Sequence, residues 1–133
     1  MLDLSPLQNA LASLGRAHDR SENAPGDAEL RDAVSHRFEY TYELCWKMLR
    51  RRLEMDAASP DEIDRLSFRE LIRVGAERGS VRDVEPWMRY RELRNVTAQT
   101  YDEATADLVR SAEGAFIADA AALERALARA KDR

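Results

Sequence analysis

The strongest constraint on the fold lies between Gly26 and Pro60, where neither glycine nor proline occurs and apolar residues return at steps of three and four. Leu30, Val34, Phe38, Thr41, Cys45 and Met48 form one stripe, and Tyr42, Trp46, Leu49 and Leu53 an adjoining one. That period belongs to a helix, not to the two-residue alternation of a strand. With Asp27 as N-cap, a long helix is predicted to about Leu53. Its two stripes together exceed a single core seam and predict a second apolar surface that meets a partner.

The same reading extends to both ends of the chain. Ser5 as N-cap and Pro6 as first helical residue open a first helix with Leu4, Leu7, Leu11 and Leu14 on one face. Residues 21–27, holding Pro25-Gly26, form the first connection. Ser59-Pro60-Asp61-Glu62 marks another start inside a connecting segment. Ser67-Phe68-Arg69-Glu70 is a capping box for a short helix that Gly79 closes, with Phe68, Leu71, Ile72 and Gly75 inward. A further helix begins near 83–86 and carries Trp87, Tyr90, Arg94 and Thr97 on one side. Thr100-Tyr101-Asp102-Glu103 has the capping-box pattern, which predicts a break around 98–100. The last helix then buries Leu108, Ala112, Phe116, Ala120, Leu123 and Leu127, and its alanine-rich end is expected to fray. With 5 Gly and 4 Pro in 133 residues, a sandwich or barrel lacks its turns. The expectation is an all-α, up-and-down four-helix bundle with one additional short helix, occupying 1–133 as a single domain.

Several function classes are disfavoured. No apolar run approaches the roughly 20 residues that cross a bilayer, and Met1-Leu2-Asp3-Leu4 does not open a signal peptide, so no membrane role and a cytoplasmic location are expected. Cys45 is the only cysteine, and with His18 and His36 far apart in sequence no metal site or cofactor is expected. A formal net charge of −4 argues against indiscriminate nucleic-acid binding, so any such role must be local. Arg50-Arg51-Arg52 with Lys47 makes a basic end to the second helix, which suits the macrodipole and alternatively guides RNA or an acidic partner. Trp46, Trp87, Phe38 and Tyr90 read as core or dimer-interface residues rather than base-stacking platforms. Residues 68–96 loosely match a helix-turn-helix, but the 79–83 connection is long. Asp83 and Glu85 would also set carboxylates against phosphates, so DNA reading is not expected.

Chemistry concentrates at 91–102, where a helix end, a tight break and a fresh helix start meet. Free N–H groups there, with Arg94, Asn95, Gln99 and the Tyr101 hydroxyl, suit a phosphate or an oxyanion. The structural alternative is that Arg94 pairs with an acid such as Asp102 and Thr100 only caps. Gln99 is an amide and cannot transfer a proton near neutrality. His18 and His36 stay outside the site, the latter as a surface or groove-facing residue.

The residues Arg37-Phe38-Glu39-Tyr40-Thr41-Tyr42-Glu43-Leu44-Cys45-Trp46-Lys47, then Phe68-Arg69-Glu70 through Gly79, Trp87-Met88, and Arg94-Asn95-Val96-Thr97-Ala98-Gln99-Thr100-Tyr101-Asp102, resemble the HEPN-domain nucleotidyltransferase substrate-binding family. The resemblance runs through most of the chain in order. It implies a helical bundle that dimerises and acts as the toxin-like subunit of a type VII-style pair, beside a minimal (MNT-type) nucleotidyltransferase antitoxin. Toxic members resemble metal-independent ribonucleases whose motif is an arginine, four residues, a histidine, one residue and a tyrosine. The partner enzyme attaches AMP to that tyrosine.

Carried onto this chain, the resemblance assigns the motif arginine to Arg94, its polar neighbour to Asn95, the histidine position to Gln99 and the AMP acceptor to Tyr101. Arg91 and Thr100 join Arg94 as candidate RNA or phosphate contacts, and transfer or messenger RNA is the expected target. With Gln99 in the histidine's place, Arg94 still stabilises a pentavalent phosphate, but the ribose 2′-hydroxyl loses its base. Two readings stay open. One is a toxin-like ribonuclease fold disarmed at a single position. The other is a non-catalytic subunit that binds substrate for the nucleotidyltransferase, and a purely structural dimer is the blandest version.

Overall fold

Asp27 begins the organising element of the fold. Its carboxylate accepts from the Glu29 and Leu30 amides, capping a helix that runs over Ala28–Asp56. In the computed structural model, which describes residues 2–100 and 102–131, this is α2 of six helices. The others are α1 (Ser5–Asn23), α3 (Pro60–Asp64), α4 (Phe68–Glu77), α5 (Val84–Gln99) and α6 (Glu103–Lys131), and no strand occurs among the described residues. The all-α bundle holds as expected. α2 touches every other helix, while α1 and α5 each also pack on α6, so four long helices surround one core. No helix is long and apolar enough to cross a membrane.

Several boundaries differ from the sequence reading. α1 starts at Ser5 rather than after it, because the Asp3 carboxylate accepts from the Ser5 amide at 3.0 Å and puts Pro6 in the second helical position. α2 continues three residues past Leu53. The additional short helix is in fact two, α3 and α4, the second opened by the expected Ser67–Glu70 capping box. Gly79 ends it at φ +82°, a conformation that a side chain disfavours.

The second apolar stripe of α2 is covered by the chain's own α4 and α5, which corrects the expectation that it awaits a partner. Tyr42 lies 6.1 Å from the Phe68 ring, and Gly75 lets α4 approach so closely that a Cβ there would meet Leu49 at 3.0 Å. Only Trp46 of that stripe remains half-buried.

The break before α6 is closed by another residue than predicted. Thr100 is the extended C-cap of α5, its amide donating to Val96 O at 2.9 Å. Asp102 instead caps α6, accepting from the Thr105 amide at 2.8 Å while its carbonyl takes the Ala106 amide. Those Thr105 bonds hold the Asp102 carboxyl below the ordinary carboxylate range. Asp102→Ala is expected to lower the urea midpoint through loss of the cap, whereas Thr100→Ala should leave it nearly unchanged.

From Phe116 onward α6 buries the expected Phe116, Ala120, Leu123 and Leu127, but its first turns differ. Val109, Glu113 and Phe116 are buried, whereas the predicted Leu108 is 55% exposed and Ala112 only partly covered. An apolar pattern skips a glutamate, yet Glu113 is 1% exposed, because His18 Nδ1 on α1 sits 2.6 Å from its carboxylate. Burial pushes the Glu113 carboxyl above its ordinary value, partly offset by His18. A raised folded-state pKa gives stability that is present in acid and lost as pH rises through that value. Glu113→Gln is therefore expected to gain Tm relative to the parent as pH rises above the ordinary carboxylate range, measured as the Tm difference across pH.

At the centre Phe116 meets Phe38, Tyr90 and Trp87 edge-to-face, with ring centroids at 4.8, 5.1 and 6.0 Å. The Tyr90 hydroxyl donates to Asp119 at 2.6 Å, which ties α5 to α6 and fixes the rotation of α5. Arg94, one turn further along α5, is thereby aimed across α2.

Candidate functional site

Two buried residues, Tyr90 and Thr97, anchor the inner side of α5 and leave Arg94 between them partly exposed. The Thr97 hydroxyl donates to Arg94 O at 2.9 Å. The Arg94 guanidinium reaches α2, where Nη2 lies 2.8 Å from Glu43 Oε1. The predicted acid, Asp102, is occupied at the α6 cap, so the pairing partner is Glu43. Lys47 approaches the other Glu43 oxygen at 3.8 Å. Half-exposed pairs of this kind contribute little to stability, so the Arg94–Glu43 bridge is readily opened by a competing anion.

The bridge separates two depressions. One, of about 330 Å³, lies between α2, the start of α4 and α5, and is walled by Tyr42, Trp46, Phe68, Arg91, Arg94 and Asn95. The other, of about 400 Å³, is bordered by His36, Tyr40, Lys47, Arg94 and Ala98. His36 is thus groove-facing, as expected, and shares that groove with Arg94.

Arg91 sits over Phe68, with its guanidinium carbon 4.8 Å from the ring centroid, and is exposed to solvent. Asn95 is exposed beside Arg94 and accepts from it at 3.4 Å. Gln99 and Thr100 are exposed at the end of α5. The predicted Tyr101 site lies outside the described residues. The start of α6, expected to offer free amides to an anion, carries the Asp102 carboxylate instead, so the site's cationic donors are side chains: Arg91 and Arg94, with Arg50 paired to Asp64 and Lys47 near Glu43.

Sequence reasoning missed Glu43 and the aromatic seat of Arg91. A glutamate bordering an apolar stripe was the available signal for the first, and the second needs α4 folded against α5. It also left His18, Glu22 and Glu113 ungrouped, although their ligand-type atoms lie within 4.8 Å of one another across α1 and α6. Within that group the part-buried His18 pairs with the buried Glu113 at 2.6 Å, and Glu22 lies exposed beside them. Cys45 is buried and its thiol pushed up by burial, which removes it as a nucleophile.

The model of the family described as nucleotidyltransferase substrate binding protein like matches residues 2–129. The chain belongs to that family. A curated relative, the probable ribonuclease HepT of Haemophilus influenzae, is 39% identical over 67 residues, which are 50% of this chain and 46% of that protein. The match thus spans about half of the relative's length. The solved structure of HI0074 from Haemophilus influenzae, described as the fold of a substrate binding domain of a nucleotidyltransferase, is 28% identical. It covers 94% of this chain and 98% of its own at a TM-score of 0.88. HI0074 thus shares the helical bundle on which the Arg94 cleft is built.

Proposed function

We propose that this family member is the toxin-like subunit of a toxin–antitoxin pair, with a ribonuclease-like RNA cleft attenuated at Gln99. Arg94 neutralises the phosphate, Asn95 and Gln99 hydrogen-bond it, and the partner nucleotidyltransferase attaches AMP to Tyr101. The observation that carries the reading is Arg94 itself, partly exposed on a weak bridge to Glu43 and opening onto two depressions. Arginine in such a position stabilises a pentavalent phosphate by geometry as well as charge. What the cleft lacks at position 99 is a group that takes a proton from the ribose 2′-hydroxyl. Tyr40, 60% exposed, borders the His36 groove and supports a homodimer that brings two such clefts together.

One observation favours the alternative of a substrate-binding subunit that does not cut, namely the amide at Gln99. The test is metal-free incubation of the native chain and Gln99→His with 5′-labelled transfer RNA and with messenger RNA. Mass spectrometry after incubation with the cognate transferase and ATP then looks for AMP on Tyr101. Cleavage by the histidine form and AMP on Tyr101 are the expected results. Intact RNA in both, with the transferase still bound, moves the assignment to the binding subunit.

A further inference from the structure

We propose that the cleft between α2, α4 and α5 is a subsite for one unpaired ribonucleotide of an RNA strand. Its base lies against Trp46 and its phosphate on Arg91 and Arg94. The polymer rests on the function proposed above, while nucleotide binding itself rests on the cleft.

Charge comes first. Three guanidinium groups, Arg50, Arg91 and Arg94, line the cleft against one carboxylate, Glu43. Arg50 is committed to Asp64 at 2.8 Å and Arg94 to Glu43 at 2.8 Å, whereas Arg91 has a ring contact and no ion pair among the described residues. An arginine resting over an aromatic ring keeps its guanidinium near the cleft without an acid to neutralise it, and a guanidinium's planar fork suits a phosphate. Arg94 joins it once the anion displaces Glu43.

The wall supplies the rest. Tyr42 is buried and Phe68 carries Arg91 at 4.8 Å, whereas the half-buried Trp46 has only the looser approach of the exposed Lys47, 5.8 Å from its ring centroid, and is the aromatic best placed to meet a ligand. Flat aromatic surface beside cationic groups is the chemistry that takes a nucleobase with its phosphate. A volume of about 330 Å³ is at the small end for ligand pockets and accommodates a single nucleotide, not a paired helix. Released from Arg94, the Glu43 carboxylate becomes an acceptor for an exocyclic amine, so adenine, cytosine and guanine are preferred to uracil. The sequence alone assigns Trp46 to core or dimer interface; its position in the folded cleft is what changes that assignment.

Fluorescence tests this directly, because the chain has two tryptophans and Trp87 is buried. The full chain is titrated with 5′-AMP, 5′-CMP and 5′-UMP, with single-stranded oligoribonucleotides and with the corresponding duplex. Saturable quenching is expected, strongest for single strands and weakest for uracil and duplex. Arg91→Ala should weaken binding about tenfold and Trp46→Ala about tenfold to hundredfold. Trp46→Phe, followed by calorimetry, should keep binding and lose the quenching, and it guards against a folding defect in the alanine variant. Single-stranded RNA binding that needs Arg94 but ignores Trp46 and Arg91 overturns the subsite and leaves the proposed function standing. Nucleotide quenching without binding of any RNA strand overturns both the RNA assignment and this proposal.

Discussion

Gln99→His is expected to raise metal-free RNA cleavage by about 10²- to 10⁴-fold, the usual contribution of a positioned general acid or base. Position 99 ends α5 and is exposed, so an imidazole fits there without disturbing the core. In the proposed function Arg94, five residues earlier on the same helix, supplies charge stabilisation, which alone would leave the reaction slow. The gain should therefore depend on Arg94: Gln99→His with Arg94→Ala should return to the native rate. Its pH profile should rise through the imidazole range, a signature that a contaminating nuclease lacking dependence on position 99 does not share. Growth arrest on expression of the histidine form, relieved by Arg94→Ala, is the corresponding result in cells. Equal rates for the native and histidine forms would remove the ribonuclease reading.

Phe116→Ala is expected to cost about 3–5 kcal/mol, the largest effect on stability of any substitution considered. Phe116 is fully buried, and its ring is the common partner of Phe38, Tyr90 and Trp87. Truncation removes the transfer energy of the ring and leaves a cavity that three rigid aromatic neighbours cannot fill. For a domain of this size the loss corresponds to a Tm fall on the order of 10–20 °C. Urea denaturation followed by far-UV circular dichroism measures it, with Phe116→Leu as the milder control. A cost below about 1 kcal/mol would show that α6 is not the keystone of the bundle.

The helices were legible in the chain because their signals are local. The Asp27 cap, the Ser67–Glu70 capping box, Gly79 and the Trp87–Tyr90–Arg94–Thr97 side all reappear in the structure. Errors clustered where a charged residue does structural work or where two candidates compete for one role. Glu113 broke the apolar count and misplaced the buried face of the first turns of α6, and Asp102 outcompeted Thr100 for its cap.

For the site, sequence spacing by itself placed Arg94 and Asn95 together near the end of one helix, since residues a few positions apart on an α-helix are fixed by its pitch, whereas the structure carries that helix through the expected 98–100 break to include Gln99. The chain alone shows that the 91–102 junction carries no imidazole; that position 99 is the histidine's place is what the family resemblance implies. Tertiary structure decided the rest: that Glu43 and not Asp102 holds Arg94, that Phe68 seats Arg91, and that α4 and α5 cover most of the second stripe of α2 but leave Trp46 in a cleft. These contacts join residues on helices separated by long stretches of chain, and only the packing of α4 and α5 against α2 brings them within reach.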